Sequence, residues 1–306
     1  MFNYALKRVL QLIPVLLLIS ILVFSLVYAI PGDPARMLAP PDASDEEIDR
    51  IAENLGLHRP LPVQYVDWFL GVLQGDWGRS ISWGRPVLPD LLRRLPATLQ
   101  LAGLSVIFSV GVAIPVGVLS ATRQNSFIDS ISRVGSLLGL SMPNFWVGMM
   151  LILLFALHLR WLPASGRRGF TYLILPAITL GTSGMATIMR VTRSTMLEVI
   201  RQDYVRTARS KGLSERVVIY KHTLRNALIA VITVIGLQMG FRLGGTVVIE
   251  RVFAYPGLGQ LAYQGMMHRD TPMIMGNLML FATMFCLINL AVDLIYAFVD
   301  PRIRYG

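Results

Sequence analysis

The chain has 306 residues, 54% of them hydrophobic and 15% charged, with a mean hydropathy of +0.58. Soluble domains carry about 25% charged residues, so this composition excludes a water-soluble core and makes an integral membrane protein the default. The net charge of +10 does not point to nucleic acid, because aromatic and basic residues are not interleaved and the arginines gather between apolar runs.

Six stretches are long enough to cross about 30 Å of hydrocarbon, which takes about 20 residues. They lie near 9–30, 97–121, 134–157, 172–196, 228–249 and 273–299. The first follows Lys7-Arg8 and imitates a signal peptide, with Val27 and Ala29 at plausible cleavage positions. Its apolar run exceeds the 7–15 residues of such a segment, so a retained helix is expected over 1–30 with a cytoplasmic N-terminus. Residues 31–93 then form an external insert. Within it Ser44-Asp45-Glu46-Glu47 has the pattern of a capping box, and Gly56 stops the helix that follows. A second amphipathic stretch, Val63 to Leu73, carries Tyr65, Trp68 and Phe69, residues that favour a membrane interface. The insert is either a small packed cap or part of a docking surface. The turns Pro31-Gly32-Asp33-Pro34 and Gly75-Asp76-Trp77-Gly78-Arg79-Ser80 bracket it.

Pro14, Pro115, Pro143 and Pro176 lie in or at the ends of spans, where neighbouring helices satisfy the freed carbonyls. In the fourth span Gly181-Thr182-Ser183-Gly184 is similar to the serine motif of intramembrane rhomboid proteases. A serine nucleophile needs a base in hydrogen-bond reach, and His58, His158, His222 and His268 all fall outside the spans. Small residues for helix packing account for the stretch better. Gly236, Gly240 and Gly244 make two GxxxG steps in the fifth span, a face for close packing within the chain or against a second membrane subunit. Arg242, with Gln238 one turn before it, sits deep in that span. It either lines a path and meets a substrate carboxylate, or snorkels outward or answers Glu250. Asp293 lies near the cytoplasmic end of the last span, where Arg190 and Arg193 are the expected partners of an inner ion pair. Cys286 is the only cysteine, so disulfides within the chain are excluded and a buried thiol is expected. No metal site is expected.

Nine basic residues, Arg190, Arg193, Arg201, Arg206, Arg209, Lys211, Arg216, Lys221 and Arg225, surround the polar loop 197–227. With Lys7, Arg8, Arg123, Arg133, Arg302 and Arg304 they place that loop, both termini and the short tail 300–306 in the cytoplasm. Arg160, Arg167 and Arg168 count the other way. The loop has helical composition from Tyr204 to Ser210, then Gly212 as a stop and Ser214 as a cap for the next helix.

Asp203-Tyr204-Val205-Arg206-Thr207-Ala208-Arg209-Ser210-Lys211-Gly212 resembles the EAA loop of ABC-importer permeases, in the form used by the peptide, glutathione and nickel branch. The family's Glu-Ala-Ala falls on Arg206-Thr207-Ala208 and its glycine on Gly212, while of its distal Ile-x-Leu-Pro only Leu224 is kept. The resemblance extends over nearly the whole chain. It implies an all-α, six-helix type I importer fold, with the permease core over 94–299, in a bacterial inner membrane. It implies that Asp203, Tyr204, Arg206, Thr207, Ala208, Arg209, Lys211 and Gly212 form a coupling helix docked on a cytoplasmic ATPase. In that picture Ala208 must be small to approach the ATPase groove, Gly212 takes a positive φ, and Arg206 and Arg209 meet acidic residues of the ATPase. The implied partners are a second permease, two ATP-binding subunits, a periplasmic substrate-binding protein and membrane lipid. No Walker A sequence is present, so ATP is a cofactor of the partner subunits and this chain is not itself an enzyme. Dipeptides, oligopeptides and glutathione are the first substrate class, then nickel complexes, opines and sugars. A secondary carrier is the alternative of another kind, and it would show no need of ATPase subunits.

Overall fold

Prolines, glycines and the lengths of the apolar runs set where the helices begin and end. The structure, a computed structural model, describes residues 2–28, 35–36, 39, 43–54 and 56–299. The Pro31-Gly32-Asp33-Pro34 turn and the 300–306 tail lie outside the described residues. Helices run over α1 (Phe2–Tyr28), α2 (Asp45–Asn54), α3 (Leu61–Gln74), α4 (Val87–Thr122), α5 (Phe127–Ser141) and α6 (Asn144–Leu151). They continue with α7 (Thr171–Ile200), α8 (Asp203–Ser210), α9 (Glu215–Val252), α10 (Leu258–Met267) and α11 (Thr271–Val299). Short π-helical segments, Ile152–His158 and Val218–Leu224, extend α6 and lie inside α9. The one β-bridge among the described residues joins Arg79 to Pro86, so the fold is all-α.

Five helices are long and apolar enough to cross a membrane, and α5 with α6 supplies a sixth if that bent pair is one span. The third span expected over 134–157 is therefore corrected: it is two helices bent by 108° at Met142-Pro143. Proline has no N–H to continue the ladder and disfavours the helical conformation in the residue before it. Met142 accordingly sits at φ −82°, ψ 130°.

The chain divides into two compact units, one made of 97–256 with the chain from 287, the other of 2–96 and 257–286. The second unit holds the insert. Its capping box forms as the sequence predicts: the Ser44 N–H donates to Glu47 Oε2 at 3.1 Å, and the Glu47 N–H to Ser44 Oγ at 3.3 Å. The aromatic residues of α3 pack rather than stand free. Tyr65 and Trp68 close over Val23, Phe24 and Met275, and Tyr65 shares a 2.8 Å hydrogen bond with Ser20. The loop before α4 is tied down by Asp270. This fully buried carboxylate accepts hydrogen bonds from the Ser80 hydroxyl and from the N–H groups of Ile81, Ser82 and Met273.

In the first unit, α7 is the central element. Leu175, Ala177 and Leu180 meet Ala97, Leu101, Ile249, Phe253 and Tyr255 in one core. Towards its other end Met196 joins Val118, Ala121, Ile219 and Ala227. Cys286, in the second unit, is buried, as expected.

Candidate functional site

The polar loop between α7 and α9 folds because three residues leave the helical region in turn. Gln202 (ψ 147°) starts α8, Gly212 (φ +75°) ends it, and Ser214 (ψ 143°) starts α9. A side chain at +75° meets its own backbone, so the glycine is needed there. The Ser214 side chain makes no capping bond, contrary to expectation.

Helical spacing puts Val205 and Ala208 on one face of α8, and both are buried against Val218 and Val199. Ala208 is thus small because α8 lies against its own chain, which corrects the expectation that a partner's groove sets its size. Asp203, Tyr204, Arg206, Thr207 and Arg209 around the rest of the helix, and Lys211 just after it, are all exposed. Arg206 is exposed. Arg209 does not stand free for a partner: it forks onto Glu215 at 2.7 and 3.2 Å and closes the Gly212 turn. Partial burial pushes the Tyr204 hydroxyl above the ordinary tyrosine range. α8 is therefore a short basic helix seated on the roots of α7 and α9.

Deeper in the same unit, Arg242 is 7% exposed. Its two terminal nitrogens donate to Ser105 and Ser109 hydroxyls on α4, each at 3.0 Å. The Ser109 proton is directed to the carbonyls of Ser105 and Gly181, and the Ser105 proton to that of Ala102. Both oxygens are thus left to accept from the arginine. Gly184 makes room for the group: a Cβ there would lie 1.9 Å from Arg242 Nη2 and 2.7 Å from Gln238 Oε1. The Gly181–Gly184 stretch is a packing face, as the sequence suggests. The Gln238 amide nitrogen is buried with no partner beside it. The snorkelling and Glu250 readings of Arg242 are corrected. The guanidinium is held by neutral hydroxyls, and Glu250 accepts from Thr98 at 2.6 Å.

The inner ion pair also differs from expectation. Arg193 grips Asp129, not Asp293, at 2.6 and 2.9 Å, and Arg190 makes no pair with Asp293 either. Asp129 is fully buried and accepts further bonds from Ser120 Oγ (2.6 Å) and the Asn125 N–H (3.0 Å). Four hydrogen bonds on one carboxylate make it the better anion. Sequence reading missed Asp129 because the loop between spans looked merely polar. The signal was present in Ser126-x-x-Asp129, whose serine accepts from the Asp129 N–H at the start of α5.

The chain matches a family model described as binding-protein-dependent transport system inner membrane component over 113–305, and the corresponding N-terminal membrane-component model over 1–102. It is 44% identical over 305 residues to the glutathione transport system permease protein GsiC of Salmonella typhi, and 43% identical to that of Escherichia coli (strain K12). Each alignment covers 100% of both chains. Among solved structures it resembles the MetNI methionine ABC transporter in inward-facing form, with TM-score 0.58 and 22% identity, over 70% of this chain and 98% of that one. An amino acid ABC transporter crystallised with histidines matches with TM-score 0.52 and 15% identity, over 70% and 94%. These structural likenesses speak to the fold alone.

Proposed function

Because the chain belongs to the family of binding-protein-dependent transport system inner membrane components, we propose that it forms one half of an import path for glutathione and related small peptides. It is an ABC-importer permease. The proposal adds its substrate class, a second permease beside it, and two ATP-binding subunits docked on α8 at the cytoplasmic face, where both termini also lie. The observation that carries the docking assignment is α8 itself. Its apolar residues are used inside the chain, and the exposed side chains of Tyr204, Arg206 and Lys211 are left at the end of two membrane helices. The substrate class is supported by full-length similarity to proteins named as glutathione permeases.

The test is reconstitution of the complete complex in liposomes, with ATP turnover, glutathione uptake and co-purification of ATPase subunits as readouts. Gly212→Val strains the turn by about 1 kcal/mol or more, and Ala208→Leu lifts α8 off Val218. Both variants should stay in the membrane while losing ATPase attachment or coupling. Full attachment and tight coupling in both would reduce the loop to a topological marker. Uptake without ATPase subunits would mark a secondary carrier.

A further inference from the structure

About ten ångströms along α7 from its loop end, at 1.5 Å per residue, the helix pair α5 and α7 encloses a cavity of about 260 Å³. Its lining includes Arg133, Arg190 and Arg193 together with Leu137, Leu140 and Met189. The carboxylate in contact with this wall is Asp129, and it is taken by Arg193. Arg133 stands off at 3.7 Å from it. Arg190 has no hydrogen-bond or ion-pair partner among the described residues. Three guanidiniums thus face one carboxylate, which leaves an excess of positive charge lining the cavity. The serines here do not compete for an anion as donors, because Ser132 and Ser136 give their protons to the carbonyls of Ile128 and Ser132. The same helix α5 keeps Ile131, Val134 and Leu138 exposed as an apolar strip.

We propose that this cavity binds the headgroup of an anionic phospholipid, its phosphate between Arg133, Arg190 and the free edge of Arg193, and an acyl chain along Leu137, Leu140 and the exposed strip of α5. Basic pockets between helices near the membrane surface are suited to such headgroups. A lipid so placed clasps α5 to α7 next to the segment that carries α8. A soluble phosphate or carboxylate shares the headgroup chemistry but has no use for the apolar strip.

The experiment is native mass spectrometry of the purified full-length complex, delipidated and then given phosphatidylglycerol or phosphatidylcholine. The wild type should retain phosphatidylglycerol in preference to phosphatidylcholine. The double variant Arg133→Gln/Arg190→Gln should weaken that retention ten-fold or more, while Arg133→Lys/Arg190→Lys, which keeps the charge, retains it. Equal retention of the two lipids, or no loss in the glutamine variant, overturns the site. Displacement of bound lipid by glycerol phosphate, at concentrations where the acyl chains should prevail, assigns the cavity to a soluble anion and overturns the lipid assignment.

Discussion

Arg193 and Arg242 belong to the same compact unit, yet the chain handles them in opposite ways. Arg193 keeps 21% of its side chain exposed and meets a fully buried carboxylate that is itself hydrogen-bonded by Ser120 and Asn125. Arg242 is only 7% exposed and meets no carboxylate, just two serine hydroxyls one helical turn apart. The first is a closed account of charge: each partner would be costly to bury alone, and together they fasten α5 to α7. The second is a cation whose charge is solvated by dipoles but not neutralised. An intramembrane charge of that kind is costly to hold and marks a functional position more often than a structural one. The contrast separates an ion-pair clamp from a candidate site, a cation held without a counter-charge.

The largest effect on stability is expected where the cradle of Arg242 has no slack. Gly184→Val places a Cβ and two methyls where Arg242 Nη2 now lies, and neither α4 nor α9 can yield without breaking the serine contacts. A loss of about 3 kcal/mol or more is expected from overpacking together with displacement of a buried charge, read as a lower unfolding temperature in detergent. Gly244→Ala, on the same helix as Arg242 but with nothing within 4 Å of its Cβ, should change little. Next comes the clamp. Asp129→Asn leaves Arg193 half-buried without its anion. Removing one partner of a fully buried pair costs about 3–5 kcal/mol, and partial exposure of Arg193 brings the expectation to about 2 kcal/mol. The double variant Asp129→Asn/Arg193→Met should recover part of that loss. If the double variant is as unstable as the sum of the singles, the pair is not a coupled clamp and the comparison with Arg242 loses one side.

Much of this was legible in the residues. Apolar run lengths located the spans, and Ser44-Asp45-Glu46-Glu47 announced its cap. The basic loop with Gly212 gave α8 and its turn, because propensity and local hydrogen bonding decide those features within a few residues. What the sequence did not reveal depends on residues far apart in the chain. Pro143 marked a breaker, but the 108° bend it permits is set by how α5 and α6 pack on α7. Arg193 and Asp129 are 64 residues apart, and Arg242 and Ser105 are 137 apart. Depth along a span suggested Asp293 for Arg193 and Glu250 for Arg242, whereas the lateral arrangement of helices decided both. The resemblance implies that Ala208 is small to approach a partner's groove, and only the packing of Val218 against it shows that its own chain already fills that face.

The smallest structural effect, and the sharpest functional one, is expected at Arg242 itself. Replacing it by Leu removes the uncompensated charge without stranding its neighbours, since the Ser105 and Ser109 protons already go to backbone carbonyls. No carboxylate partner is left behind by the change, so the assembled complex should accumulate to near the wild-type amount. The guanidinium and the unpartnered Gln238 amide beside it are donors without an anion, and if they face the import path, a solute carrying carboxylates would supply one. Arg242→Leu should therefore slow uptake of glutathione in liposomes at least ten-fold, and slow a doubly esterified analogue much less. Arg242→Lys, which keeps a charge but not the fork that spans Ser105 and Ser109, should fall between. Equal uptake of the acid and the ester by wild type and Leu variant would mean that Arg242 is only a buried strut, and the distinction between clamp and site would then collapse to a difference in depth.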